Sequence, residues 1–156
     1  MTIMVDKEAP MAPGFYLKAR TGGFTVHLHA SAEHVRRIRE LTARTLDGAG
    51  VGADIAHSAE LVASELVGNA VRACGPFAPL VVDVQAGADA VAVSVHDPDG
   101  EHLPRRGCGP LDDPHSESGR GLLLVDLLAP GWQAVLTPIG KQICCRLPLA
   151  EGDVHA

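Results

Sequence analysis

The order of hydrophobic periodicities along the chain is the feature that most restricts its fold. Segments with the alternation typical of strands are separated by segments with the apolar spacing of helices. Strands are predicted at 23–30, 80–85, 90–96, 131–137 and 141–147, and helices at 31–46, 54–73 and 121–129. Closely spaced strand pairs indicate antiparallel hairpins. We therefore predict an α+β fold, a two-layer sandwich with helices on one face of a mixed, mainly antiparallel sheet.

The two longer helices have recognisable apolar stripes. Ser31 is expected to cap the first of them, since a serine side chain accepts from the free N–H groups of a first turn. Its inner stripe is predicted at Val35, Ile38, Leu41 and Thr45. The core face of the second helix is predicted at Ile55, Ala59, Val62, Leu66 and Ala73.

The length and the ends of the chain indicate a single domain. With 156 residues, 46% of them hydrophobic, the chain is long enough for one core. We expect a flexible leader at 1–22, a domain at 23–149 and a tail at 150–156, because both ends have little periodicity. No apolar run reaches the length of a membrane span, and the N-terminus does not resemble a signal peptide. The expected location is therefore the cytoplasm, with no membrane partner.

Charge and composition argue against several classes of function. A net charge of -6 argues against sequence-independent nucleic-acid binding, and 3% aromatic residues argue against base-stacking platforms. The four cysteines form no C-x-x-C pair and are interpreted as reduced residues. The phosphate-binding loop, the dinucleotide fingerprint and the hydrolase serine elbow are also missing from the sequence.

Residues 64–72 form the first group that could bind a ligand or take part in a reaction. Glu65 and Asn69 lie four positions apart on the second predicted helix, so their side chains share one face with Arg72. A carboxylate and an amide oxygen at this spacing can share a hydrated divalent cation. The same spacing also suits a solvated helix edge with a hydrogen bond from the amide to the carboxylate, and the sequence leaves both interpretations open.

Two further groups follow the strand at 90–96. Asp97 ends that strand and is followed by Pro-Asp-Gly, with Gly100 last. A buried Asp there could accept from an exocyclic amine, although the composition also makes a simple turn. Gly119 and Gly121 come just before the helix predicted at 121–129. They could bind phosphate through free N–H groups, or could only serve a turn.

Taken together, the three groups resemble the motifs of the GHKL (histidine-kinase-like) ATPase superfamily. Residues 64–72 resemble its N box, residues 96–100 with Pro104 a shortened G1 box, and residues 118–122 its G2 box. The resemblance covers about residues 20–149. It is greatest to the small branch of anti-sigma-factor serine kinases and related actinobacterial ATP-binding regulatory proteins.

The resemblance implies a Bergerat-type sandwich that binds ATP and Mg²⁺, and it assigns roles to individual residues. Asn69 would coordinate Mg²⁺ and Glu65 would be the catalytic base. Asp97 would accept from the adenine amino group, and Gly100 would line the adenine pocket. The remaining nucleotide contacts would come from Arg72, Gly119, Arg120, Gly121 and Leu122. A lid would span about residues 101–118.

Two functions of different class follow from this resemblance. One is a serine/threonine kinase that phosphorylates an anti-sigma-factor antagonist and sequesters a sigma factor. The other is a nucleotide-binding regulatory partner protein without phosphotransfer activity. Both predict protein partners and no direct nucleic-acid contact, and the branch also suggests a homodimer.

Overall fold

The fold is described from a computed structural model that covers residues 14–104 and 117–150, with the side chains of 117–122 excepted. Its elements in chain order are β1 (Phe15–Arg20), β2 (Gly23–His29), α1 (Ala32–Gly48), α2 (Ala53–Cys74), β3 (Pro79–Ala86), β4 (Ala90–Asp97), α3 (Glu117–Leu128), β5 (Gln133–Thr137) and β6 (Gly140–Pro148). The predicted α+β class is confirmed. In these residues no helix is long and apolar enough to cross a membrane.

The strands form one sheet in the order β1-β2-β3-β4-β6-β5. Every neighbouring pair among the described strands is antiparallel, and the two predicted hairpins, β3–β4 and β5–β6, are both present. Alternate residues are buried along each central strand, as Phe24, Val26 and Leu28 show in β2. This single apolar face requires a covering layer, and the helices supply it.

Helix α2 is the centre of the covering layer. It packs on β3, β4 and β6, and it also contacts α1 on one side and α3 on the other. Ala59, Val62 and Leu66 are fully buried as predicted, whereas Ile55 is only half-buried and Ala73 is exposed. The buried face is wider than one stripe because the helix has three sets of neighbours, and it includes the polar side chain of Asn69.

The inner stripe of α1 differs from the predicted one. Ser31 caps the helix as expected, its hydroxyl accepting from the N–H of His34. The buried positions are His34, Ile38, Thr42 and Leu46, so only Ile38 of the predicted stripe is fully buried. Two polar side chains are tolerated there because each has a backbone partner: His34 bonds the carbonyl of His29, and Thr42 donates to that of Ile38.

The expectation of a flexible leader over residues 1–22 is wrong for its last part. Residues 15–20 form β1, which pairs along its whole length with β2. Phe15 is buried against the ring of His34, and Gly22 makes the connecting turn with a φ of 71°. The short alternation of Phe15 and Leu17 before Gly22 was the available signal for this strand.

The segment between β4 and α3 differs in extent from the prediction. Most of the expected loop and lid, residues 105–116, lies outside the described residues, as do residues 151–156 of the expected tail. Helix α3 begins at Glu117 and not at residue 121. Gly119 and Gly121 are therefore part of its first turns, and the expectation that they precede the helix is wrong.

Backbone strain at Phe77 gives a test of the fold. Phe77 has a φ of 69° although it is not glycine, and its side chain is 72% exposed. We expect Phe77→Gly to be more stable than Phe77→Ala by about 0.5–1 kcal/mol, since only glycine adopts this conformation without a steric cost. Urea denaturation of both variants measures the difference. An alanine variant as stable as the glycine variant would show that the backbone there is unstrained.

Candidate functional site

Helix α2 presents the first group as a continuous stripe. Glu65 is half-buried, Asn69 is 8% exposed and Arg72 is exposed. The side chain of Arg72 runs back over Gly68, because a Cβ added there would lie 3.4 Å from Nη1 of Arg72. Among the hydrogen bonds of the described residues none joins Glu65 to Asn69, so the interpretation as a simple hydrogen-bonded helix edge is not supported.

The amide oxygen of Asn69 is buried and lacks a hydrogen-bond partner within the described part of the chain. Leaving such an atom unsatisfied costs about 1–3 kcal/mol, so native structures seldom do it without a ligand. An amide oxygen beside a carboxylate is a donor set that Mg²⁺ accepts, with water completing its coordination. Asn69 and Glu65 therefore fit a hydrated magnesium ion.

Asp97 is the last residue of β4 and is fully buried, and the ammonium group of Lys141 is buried beside it. Its Oδ1 accepts from the backbone N–H of Asp99 at 2.8 Å and from Nζ of Lys141 at 3.0 Å. Both side chains of the ion pair are 3% exposed. Lys141 also donates to the carbonyl of Asp99 at 2.9 Å, so one lysine bonds both sides of the turn that follows β4.

The turn after β4 packs against the start of β6 with almost no space between the two backbones. A Cβ on Gly140 would lie 1.9 Å from the carbonyl oxygen of Asp97, and a Cβ on Gly100 would lie 3.3 Å from that of Gly140. Asp99 also makes a local turn by accepting from the N–H groups of Glu101 and His102. Burial raises the pKa of Asp99, whereas the hydrogen bonds from Glu101 and His102 and the charge of Lys141 lower it, and the net effect is a lowered pKa.

Cys74 connects α2 to Asp97. Burial raises the pKa of the Cys74 thiol, the negative charge of Asp97 raises it further, and Lys141 opposes that effect. Hydrogen bonding to the side chain of Asp97 raises the pKa of the thiol as well. Asn69 lies five residues earlier on the same helix, which is about 7.5 Å of axial rise. The structure therefore brings the first and second groups to the same end of α2.

The third group is placed only by its backbone. Gly119, Arg120, Gly121 and Leu122 lie in α3, and α3 packs against α2. The stretch is therefore adjacent to the helix that carries Glu65 and Asn69. No contact from these four residues to the rest of the site is described.

Comparison with known families agrees with this arrangement. Residues 28–145 match the family described as the histidine kinase-like ATPase domain. The match includes all three groups of candidate residues. The chain belongs to the histidine kinase-like ATPase family. A search of curated proteins gives no match.

Membership of the histidine kinase-like ATPase family makes this an ATP-binding domain, and it confirms the GHKL resemblance at the level of the superfamily. In such a domain, Asn69 is the residue that would hold Mg²⁺, with water completing the coordination, and the ion would neutralise charge on the phosphates. Elsewhere, in the part of the chain that the structure describes, no cluster of three or more His, Cys, Asp or Glu side chains could hold a metal.

Sequence reasoning gave no individual role to two residues that contact Asp97 and the turn after it. Lys141 and Gly140 lie 43 or more positions after Asp97, and their contacts with it are visible only once β4 and β6 are paired. A signal was present in the sequence, since Lys141 opens a strand-like run in which Ile143, Cys145 and Leu147 alternate with it on one face. A charged residue in such a run requires a buried partner.

The close packing at Gly140 gives a prediction for the site. Gly140→Ala should lower the free energy of unfolding by about 2–4 kcal/mol and weaken ATP binding, because the new Cβ would displace the backbone of Asp97. Gly131→Ala is the matched control, since a Cβ there would meet no described atom within 4 Å. Denaturation and calorimetric titration measure the two effects. Equal stability of the two variants would contradict the close approach.

Proposed function

We propose that this protein is an ATP-dependent serine/threonine kinase of the anti-sigma-factor type. It transfers phosphate from Mg-ATP to a protein antagonist and sequesters a sigma factor. The observation that carries the proposal is the buried, unpartnered amide oxygen of Asn69, one helical turn after the half-buried carboxylate of Glu65. That pair supplies a magnesium ligand and a base on one helix face.

Asp97 is assigned the recognition of the adenine base. Its buried carboxylate accepts from the exocyclic amine of adenine, and Gly100 beside it lines the pocket without a side chain. The phosphates extend from there along α2 towards Asn69. Arg72 and the start of α3, with Arg120 and the glycines on either side of it, supply the remaining phosphate contacts.

Glu65 acts as general base in the transfer step. It takes the proton from a serine or threonine hydroxyl of the antagonist as the hydroxyl oxygen bonds to the γ-phosphorus. The bond from that phosphorus to the β–γ bridging oxygen breaks, and ADP leaves with the electron pair. A half-buried carboxylate suits this role because it is accessible to a protein substrate and only partly solvated.

A second function is a nucleotide-binding regulatory partner without phosphotransfer. One observation favours it: in the described structure, no hydrogen bond orients the carboxylate of Glu65, whereas catalytic bases are usually held by a third group. Under this alternative the antagonist and the sigma factor are bound and released according to nucleotide state alone. Either function places the protein in the cytoplasm, where it could act as a homodimer.

Nucleotide binding tests what both functions share. Asp97→Ala should lower ATP affinity at least about tenfold while the protein remains folded, because the amine of adenine loses its acceptor. Asn69→Ala should remove the part of the affinity that depends on Mg²⁺. Calorimetric titration with ATP, with and without Mg²⁺, measures both effects. Equal affinity of the parent protein for ATP and GTP would count against the assignment of Asp97.

Phosphotransfer separates the two functions. Glu65→Gln keeps the shape of the side chain and removes the base, so it should bind Mg-ATP like the parent yet transfer phosphate at least about a hundredfold more slowly. Glu60→Gln is the control, since Glu60 lies on the same helix and pairs only loosely with His57, at 4.0 Å. The assay uses labelled ATP and a cognate antagonist. If the parent labels no antagonist, the binding-only function is correct, and undiminished transfer by Glu65→Gln would exclude that residue as the base.

A further inference from the structure

Lys141 is a charged residue whose side chain is almost completely buried. It lies at the start of β6, and its side chain is 3% exposed. Its ammonium group bonds Oδ1 of Asp97 and the carbonyl of Asp99, and it lies 3.8 Å from Oδ2 of Asp99. Buried ion pairs of this kind are often no more stabilising than apolar residues of the same volume. The pair therefore calls for an explanation other than stability.

The contacts of Lys141 restrict what Asp97 can do. Oδ1 already accepts from the N–H of Asp99 and from Lys141, so that edge of the carboxylate is occupied by protein donors. The plane of the carboxylate is fixed by these two bonds together with the turn that they close. Neither Lys141 nor the N–H of Asp99 donates to the second oxygen, and a carboxylate oxygen accepts hydrogen bonds and does not donate them.

We propose that Lys141 is a positioning residue that makes the base pocket selective for bases presenting an amino group. It holds the carboxylate of Asp97 in one orientation, so that a carbonyl oxygen in place of the amine faces a carboxylate oxygen and is rejected. The inference rests on the proposed nucleotide site and concerns its specificity. It assigns the discrimination to the ion pair and not to Asp97 alone.

Adenine and hypoxanthine nucleotides give the sharpest test, because hypoxanthine carries a carbonyl oxygen where adenine carries the amine. The affinities of ADP and IDP are measured by calorimetry for the parent and for Lys141→Met. The parent should prefer ADP at least about tenfold, and in Lys141→Met this preference should fall to about threefold or less. Circular dichroism and thermal unfolding establish that the variant is folded.

Lys18→Met is the matched control. Lys18 lies on β1 with its side chain exposed, so this change removes the same charge without touching the site. It should keep the parent's preference for ADP. It also measures any general effect of net charge on the binding of a polyphosphate, which acts on ADP and IDP equally.

The ratio of the two affinities separates the possible outcomes. If the parent binds neither nucleotide, the proposed function is wrong. If the parent prefers ADP and Lys141→Met keeps that preference, the proposed function stands and the role of Lys141 is overturned. A merely structural lysine would weaken ADP and IDP by the same factor and leave the ratio unchanged, which also overturns it. Should Lys141→Met fail to fold, Lys141→Gln keeps a hydrogen-bond donor without the charge, and the same fall in preference is expected.

Discussion

The packing of helix α2 on the sheet, with α1 and α3 also in contact with it, fixes the position of Glu65, Asn69 and Arg72. Its N-terminal half is an ordinary apolar core, with Ala59 and Val62 fully buried. Its C-terminal half carries polar groups into the same interior, namely Asn69 and the thiol of Cys74. Because the helix contacts α1, α3 and three strands, it cannot rotate to expose these groups without opening the core. The polar end of α2 is thus held in place by the apolar end.

Polar groups buried at this end oppose stability in two ways. The amide oxygen of Asn69 lacks a partner among the described residues, and Asp97 and Lys141 have both lost their hydration. The unpartnered oxygen of Asn69 lowers the stability outright. The cost of burying Asp97 and Lys141 is roughly offset by the attraction between their charges and by their hydrogen bonds to the Asp99 backbone. A chain selected for stability alone would have apolar residues at these positions. Their presence together, near one end of α2, is the physical reason for proposing a functional site there.

Much of the fold follows from local patterns, and the exceptions have identifiable causes. The two hairpins, the cap at Ser31 and the extent of α2 depend on residues close in sequence, and they were predicted correctly. The inner stripe of α1 was shifted because His34 is buried only through the carbonyl of His29 and the ring of Phe15 on β1. Strand β1 was missed because its short alternation gains stability only from pairing with β2. The first error concerns contacts that periodicity cannot show, whereas for β1 the alternation of Phe15 and Leu17 was present but short.

In the candidate site, too, the residues related by local sequence could be predicted, and the one brought in by strand pairing could not. Glu65 and Asn69 could be paired from sequence because a helix fixes the distance between positions four apart. Asp97 could be singled out because it follows an apolar strand directly. Lys141 could not be joined to Asp97, since the two are brought together by the register of β4 on β6, where Asp97 lies opposite Lys141.

That register also explains how the turn after β4 is held in place. Gly140 lies against the carbonyl of Asp97, and Lys141 donates to the carbonyl of Asp99, so the start of β6 fixes the backbone of the turn. The side chains of Asp97 and Asp99 add local support, because both accept from backbone N–H groups of the same segment. Gly100 lies close to Gly140, since a Cβ there would be 3.3 Å from the carbonyl oxygen of Gly140. The local bonds close the turn, but only the pairing of β6 with β4 fixes its position, and this is the physical reason that the site depends on residues so far apart in sequence.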